Sequence, residues 1–308
     1  MDPAIELPSE NVLSYYPGAE IPQLLILGGD WVDMLRNKLK NRKIAAFGEN
    51  LEGHSVLLCR YLEPMKPPAK LIDLDSNLQD KYAIEKAARF VSMIPFVQDL
   101  KMFKDLPDMY STCQEFIDLG GGDYEEHAIL LANYFNYIDE KQSPGKYYSY
   151  LIYGESLPEG RNTFVMRTFV NPKDGRDIEI WSPLSAECFF FRFCDDSESF
   201  CYVPLRKASH MEVRLNDPIC PLKRVWFIVG KSNVWANIQK FDFPVLMNFE
   251  LTDKSFWKPL FESENHMKKY YPLGIQSIQP QVTYADLMNP QQVLVLTSRI
   301  QKYLVEHF

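Results

Sequence analysis

The apolar pattern of this chain passes from a helical to an alternating period near residue 147, and that change limits the fold more than any other feature. Beyond it, "YYSYLIYG" (147–154), "TFVMRTFV" (163–170), "DIEIW" (177–181), "CFFFRF" (188–193) and "RVWFIVG" (224–230) are short, aromatic and β-branched. They read as strands, with "NPKDGRD" (171–177) as a hairpin turn. Before it, apolar residues recur every three or four positions, the period of a helix. Helices followed by consecutive strands predict an α+β fold in which helices pack against an antiparallel sheet.

The helical half is punctuated by caps. Ile84, Ala87, Ala88 and Val91 place a helix within 80–93. Ser111 with Gln114 has the spacing of a capping box ahead of a short helix that Gly120, Gly121 and Gly122 end. Asp123 with Glu126 has the same spacing ahead of "HAILLANYFNYI" (127–138). There Ala128, Leu131, Ala132, Phe135 and Ile138 form one face, and Ile129, Leu130 and Tyr134 widen it, so this helix is expected to be packed on most sides.

The flanks read less uniformly. "IPQLLILGG" (21–29) has the look of a buried strand closed by glycines, followed by a basic helix over 30–43. The proline-rich "EPMKPPAK" (63–70) is the best linker candidate, which divides the chain into an N-terminal segment, 1–70, and a main domain, 71–308. Helices are expected at 253–261 and from an Asn289 cap onward, with Pro290 at the first helical position. "HSVLLCRYL" (54–62) and "HAILLANYF" (127–135) share a histidine and an apolar ladder, a match too short to argue for duplication.

With 33 basic and 41 acidic residues, the formal charge is −8. An acidic surface repels phosphate, so neither nucleic acid nor an anionic membrane is the expected partner. The start, "MDPAIELPSENV", has no apolar run of signal-peptide length, and no stretch reaches the roughly 18 apolar residues of a membrane span. Six scattered cysteines fit free thiols in a reducing compartment.

Chemistry is harder to find. Cys113 and His127 form the one Cys/His pair that is close in sequence and near helix starts, the setting that lowers a thiol pKa. The expected reading, however, is a small core cysteine and a histidine that caps or borders a buried face, because closeness in sequence says little about the geometry a triad requires. Cys188, Cys194, Cys201 and His210 lack the close ligand pairs of a zinc site. "IVGKS" (228–232) lacks the earlier glycine of a phosphate loop and reads as a turn. "DLD" (73–75), "DYEE" (123–126) and "CDDSES" (194–199) read as solvated loops and caps, so no metal or other cofactor is expected.

"RFVSMIPFVQD" (89–99), "STCQEFIDLGGGDYEEHAILLANYF" (111–135), "GRDIEIWSPLSAECF" (175–189), "CPLKRVWFIVGKSNVWANIQ" (220–239), "SFWKPLF" (255–261) and "GIQSIQPQVTYAD" (274–286) occur in a fixed order. In that order they resemble the transglutaminase-like domain of the ciliary transition-zone coiled-coil and C2-domain proteins of the Meckel–Joubert group. A centrosomal family with the same type of domain is the nearest neighbour. The resemblance implies a papain/transglutaminase-type fold whose catalytic residues have decayed. Where active relatives carry cysteine, histidine and aspartate, this chain has Tyr124, Thr163 and Ser182. It also implies a non-catalytic scaffold that supports cilium assembly, with partners in the transition-zone complex and a place in the cytoplasm and cytoskeleton at the cilium base, the transition zone and basal body. The alternative is an active thiol transglutaminase or cysteine peptidase using a non-standard cysteine. Family members are longer on both sides, so a fragment or a shortened relative is expected.

Overall fold

The computed structural model describes residues 19–69, 71, 82–99, 109–170, 177–196, 199–206, 220–284 and 298. Five helices are named here: α1 (Pro22–Lys38), α2 (Ala83–Ser92), α3 (Cys113–Leu119), α4 (Tyr124–Gln142) and α5 (Glu264–Lys268). β1 (Phe47–Asn50), β2 (Ser55–Leu57) and β3 (Met109–Tyr110) form a small sheet in the order β2-β1-β3, with β1 and β3 parallel. The other strands are β4 (Tyr147–Ser156), β5 (Gly160–Phe169), β6 (Ile178–Trp181), β7 (Cys188–Asp196), β8 (Ser199–Arg206), β9 (Leu222–Val229), β10 (Val234–Asn237) and β11 (Trp257–Pro259).

Those eight strands form one antiparallel sheet in the order β11-β10-β9-β4-β5-β6-β7-β8. Side chains alternate between its two faces. Leu151, Tyr153, Val165, Trp181 and Phe227 join the core that contains α4, whereas Ile152, Phe164, Met166, Ile180 and Trp257 belong to a second apolar cluster. The expected α+β class, helices against an antiparallel sheet, is what the structure has.

The N-terminal part is fastened into the same core. Leu24, Trp31, Leu35, Val56 and Leu57 share it with α4. Trp31 Nε1 donates to Pro259 O at 3.1 Å, and Arg42 donates to the carbonyls of Asn237 and Gln239. The proline-rich joint runs against α4: Met65 N–H donates to Asn133 O at 3.0 Å and Glu63 N–H to Asn133 Oδ1 at 2.9 Å.

Several local expectations fail for identifiable reasons. Residues 21–29 do not form a strand. Pro22 opens α1, and Gly28 is small because a Cβ there would lie 2.1 Å from the Phe47 ring. The capping box of α3 is shifted by one: Thr112 caps, with Glu115 as its partner, while Ser111 N–H goes to Glu126. Gly120, at φ +70°, supplies the left-handed cap that ends α3. The helix expected at 253–261 is instead a turn followed by β11, where buried Trp257 donates Nε1–H to Asn248 O at 2.8 Å. Residues 194–196 and 199 lie in the β7–β8 hairpin rather than a solvated loop. The two histidine ladders take different forms, β2 with a 3₁₀ turn (Leu58–Tyr61) in one and α4 in the other. The 171–177 turn apart from 177, "DLD" and the helix from Asn289, residue 298 excepted, lie outside the described residues.

One buried ionic cluster joins α4 to the sheet. Arg167 on β5 donates Nε and Nη2 to the two oxygens of Asp139 at 2.7 Å each, and Nη1 to Glu179 Oε2 at 3.1 Å. Its guanidinium lies 3.9 Å over the Tyr147 ring. Arg167→Met would leave two buried carboxylates without their cation, so urea denaturation should show a loss of about 3–5 kcal/mol. Lys268→Ala, which breaks an exposed pair with Glu264, should leave the midpoint unchanged.

Candidate functional site

The first turn of α4 holds four consecutive polar residues, and three of them are buried. Asp123 is the N-cap, accepting Glu125 N–H at 3.0 Å. Glu126 closes the box, with Oε2 accepting Asp123 N–H at 3.0 Å and Oε1 accepting Ser111 N–H at 3.2 Å. Glu125 Oε1 accepts from Arg161 Nη2 at 3.3 Å. These acids stand at the positive end of a long helix dipole, which offsets part of the cost of burying them. The sequence pattern placed the box correctly but implied solvated acids, whereas Asp123, Glu125 and Glu126 are all less than a tenth exposed.

Asp99 completes a cluster in which carboxylate oxygens of Asp99, Asp123 and Glu126 all lie within 4.8 Å of one another. A hard cation accepts oxygen donors of this kind. Here, however, the oxygens already receive N–H groups, including that of Met109 on Asp99 Oδ2 at 2.6 Å. Burial, followed by the neighbouring Glu126 carboxyl, pushes Asp123 up to about 9. Burial likewise raises Glu126 to about 7. The pair therefore holds a proton at neutral pH.

The candidate thiol dyad does not form. Cys113 opens α3 with its Sγ accepting from Asn133 Nδ2 at 3.4 Å and its N–H donating to Gln279 Oε1 at 2.8 Å. Burial pushes its thiol up to about 12, the opposite of activation. His127 has Nδ1 at 2.6 Å from Asp123 O and Nε2 at 3.0 Å from Ile94 O, which leaves neither nitrogen for a sulfur. It packs edge-on against Phe116, and burial lowers its pKa.

Tyr124 begins α4 half-buried, its ring 4.7 Å from that of Phe96. Partial burial and the charges of Glu159, Asp123 and Glu125 raise its phenol pKa. Thr163 lies on β5 opposite Tyr153 of β4, fully buried, and its hydroxyl has no hydrogen-bond partner. Ser182 follows β6 and shapes the turn to β7: its Oγ accepts Ser185 N–H at 3.3 Å, and its N–H donates to Glu187 O at 2.9 Å. The Glu125–Arg161 bond sets the first turn of α4 against β5, and β5 pairs with β6. The three elements are thus neighbours, although no hydrogen bond joins any two of the three side chains.

Residues 108–260, which span this helix and all eight strands of the large sheet, match the family model of the CEP76 peptidase-like domain. Human "Protein CC2D2B" is 30% identical over 264 residues, covering 86% of this chain and 15% of that protein. The coiled-coil and C2 domain-containing protein 2A of Drosophila melanogaster is 24% identical over 210 residues, covering 68% and 13%. This chain is homologous to the coiled-coil and C2-domain proteins. It spans about a seventh of the length of each of these two relatives. Among solved structures, Legionella pneumophila LapG (EGTA-treated) aligns with a TM-score of 0.37 and 15% identity, covering 67% of this chain and 83% of that one.

What the sequence did not single out is the contribution of distant residues. Asp99, Arg161 and Gln279 reach the ends of α3 and α4 from other segments, and no local spacing marks them.

The acid cluster makes stability depend on pH in a definite direction. The folded state keeps a proton on Asp123 that the unfolded chain releases in the ordinary carboxylate range. Its contribution is full below that range and is lost as pH rises through about 9. Asp123→Asn keeps a good N-cap and removes this ionisation. Thermal unfolding from pH 4 to 9 should therefore show the wild type losing more Tm with rising pH than the variant.

Proposed function

We propose that this chain is a non-catalytic protein-interaction module of the ciliary transition zone, a peptidase-like fold kept for binding rather than bond cleavage. The observation that carries this reading is Tyr124: the first turn of α4, where the family's active relatives present a thiol, offers a phenol packed at a tilt against Phe96. On this reading Thr163 and Ser182 occupy the places of the lost histidine and aspartate. An orphan hydroxyl and a turn-forming serine supply neither an imidazole base nor its carboxylate partner. The alternative of a working thiol enzyme is opposed by the buried, high-pKa Cys113.

The cellular place comes from the resemblance to the transition-zone proteins and from homology with the coiled-coil and C2-domain relatives. Partners are expected to be proteins of the transition-zone complex at the basal body and cilium base. The formal charge of −8 supports neither nucleic acid nor anionic lipid as a ligand. No helix among the described residues is long and apolar enough to cross a membrane.

Two measurements test the proposal. A thiol-directed activity probe at neutral pH should label no cysteine stoichiometrically, and Tyr124→Phe should leave partner capture unchanged. Affinity capture from ciliated cells should recover transition-zone proteins. Rapid labelling of one cysteine, lost when that cysteine is replaced by alanine, would restore the enzyme reading.

A further inference from the structure

Residues 274–284, "GIQSIQPQVTY", run without helix or strand across the 3₁₀ turn, the first turn of α3 and one side of α4. Ile278 N–H and Ser277 Oγ both donate to Arg60 O at 3.0 Å, and Arg60 Nε donates to Gln276 O at 2.9 Å. Gln279 occupies the middle: Nε2 donates to Tyr61 O at 2.8 Å, while Oε1 accepts Cys113 N–H at 2.8 Å. Farther along, Thr283 N–H donates to Gln114 Oε1 at 2.7 Å, and Tyr284 Oη lies 2.9 Å from Tyr134 Oη. Ile275, Ile278 and Val282 pack on the core from outside.

The layers on the two sides of this contact differ. Cys113, Tyr61 and Tyr134, beneath, are at most 1% exposed, whereas no residue of 274–284 is fully buried. Removing the segment would open the Cys113 N–H and the Tyr61 carbonyl to water and forfeit the hydrogen bonds that the Gln279 carboxamide makes to both. The occupant of this groove lies at the surface and is fastened through its side chains and its backbone. Such a contact is suited to exchange rather than to emptiness.

We propose that residues 274–284 are a latch holding, in cis, a peptide-binding groove that a partner protein enters with a similar segment. That segment would be extended, carry a carboxamide side chain at the place of Gln279, and have branched aliphatic residues one position before it and three after. The recognition is backbone and amide pairing around one half-buried carboxamide, a mode that extended peptides use widely. The proposal rests on the interaction-module reading and names a surface for it. A latch that does not exchange overturns the groove alone; failure to capture transition-zone proteins overturns that reading and leaves the groove test standing.

The test uses the full chain and three thiols as reporters. In the Gln279→Ala/Tyr284→Phe variant, N-ethylmaleimide should alkylate Cys113 about tenfold faster than in the wild type, as expected for losing a few hydrogen bonds to buried groups. Cys220, buried in the other apolar cluster, should keep its wild-type rate, and Cys59, in the 3₁₀ turn that the segment covers, should accelerate no more than Cys113. An excess of the peptide GIQSIQPQVTY should restore protection of Cys113, and the same peptide with alanine for the second glutamine, the Gln279 equivalent, should not. In wild-type protein, hydrogen exchange should show the Cys113 and Ile278 amides opening together, faster than the amides of α4. The proposal is overturned if Cys113 stays slow, if all three thiols accelerate together, if neither or both peptides protect, or if those two amides exchange only with global unfolding.

Discussion

A helix buried along most of its length must send its buried polar groups to named partners, and in this protein those partners hold the N-terminal segment, β4, β5 and the segments beside α2 and α3. α4 buries Glu125, Glu126, His127, Asn133, Asn136 and Asp139 along with its apolar residues. Asn133 binds Tyr61 O and the Glu63 N–H, fixing the N-terminal segment. Asn136 exchanges two hydrogen bonds with the backbone of Ser149 and so sets β4. Asp139 takes Arg167 of β5, Glu126 takes Ser111 ahead of α3, and His127 takes Ile94 after α2. Apolar burial supplies the drive to collapse but is not directional. Orientation comes from these polar contacts, because leaving any of them unmade strands a buried group at about 1–3 kcal/mol.

The same constraint accounts for the chemistry at the start of α4. Burying three carboxyls around one helix end is tolerable only if they share charge with the dipole and with one another. The Asp123–Glu126 box, closed by two backbone N–H groups of its own turn and by that of Ser111, is the arrangement that achieves it. Held this way, the acids are ligands for the protein's own backbone. His127 is similarly committed to two carbonyls and Cys113 to Asn133. Groups that would suggest catalysis in a sequence are here the internal fastenings of the fold.

This bears on what could be read without coordinates. The change of period at residue 147, the Asp123 box and the all-round apolarity of α4 are local patterns with local causes, and the structure has all three. The strand expected at 21–29 failed because Gly28 owes its identity to the Phe47 ring, nineteen residues away in the chain. The helix expected at 253–261 failed because Trp257 is claimed by Asn248 and by the edge of the sheet. The acids of "DYEE" read as solvated because nothing in four residues reveals Ser111 or Arg161. Period and capping are short-range properties, whereas burial of a charged group is decided by segments that only the fold brings near.

On the proposed reading, the constraints on the fold and the constraints on a reaction lie on different residues. Tyr124 sits at the rim of α4, half-exposed, and the helix behind it takes none of its polar satisfaction from that side chain. Ser182 is held by the geometry of a turn, a role a serine fills on its own. Thr163 alone carries a local cost, a buried hydroxyl without a partner, and a β-branched residue in a central strand repays part of it through packing. A nucleophile could therefore be lost from position 124 with little strain on the core. Loss of Asn133 or Asp139, by contrast, would loosen elements on both sides of α4. Selection for shape alone would act on the second group and leave the first free to drift.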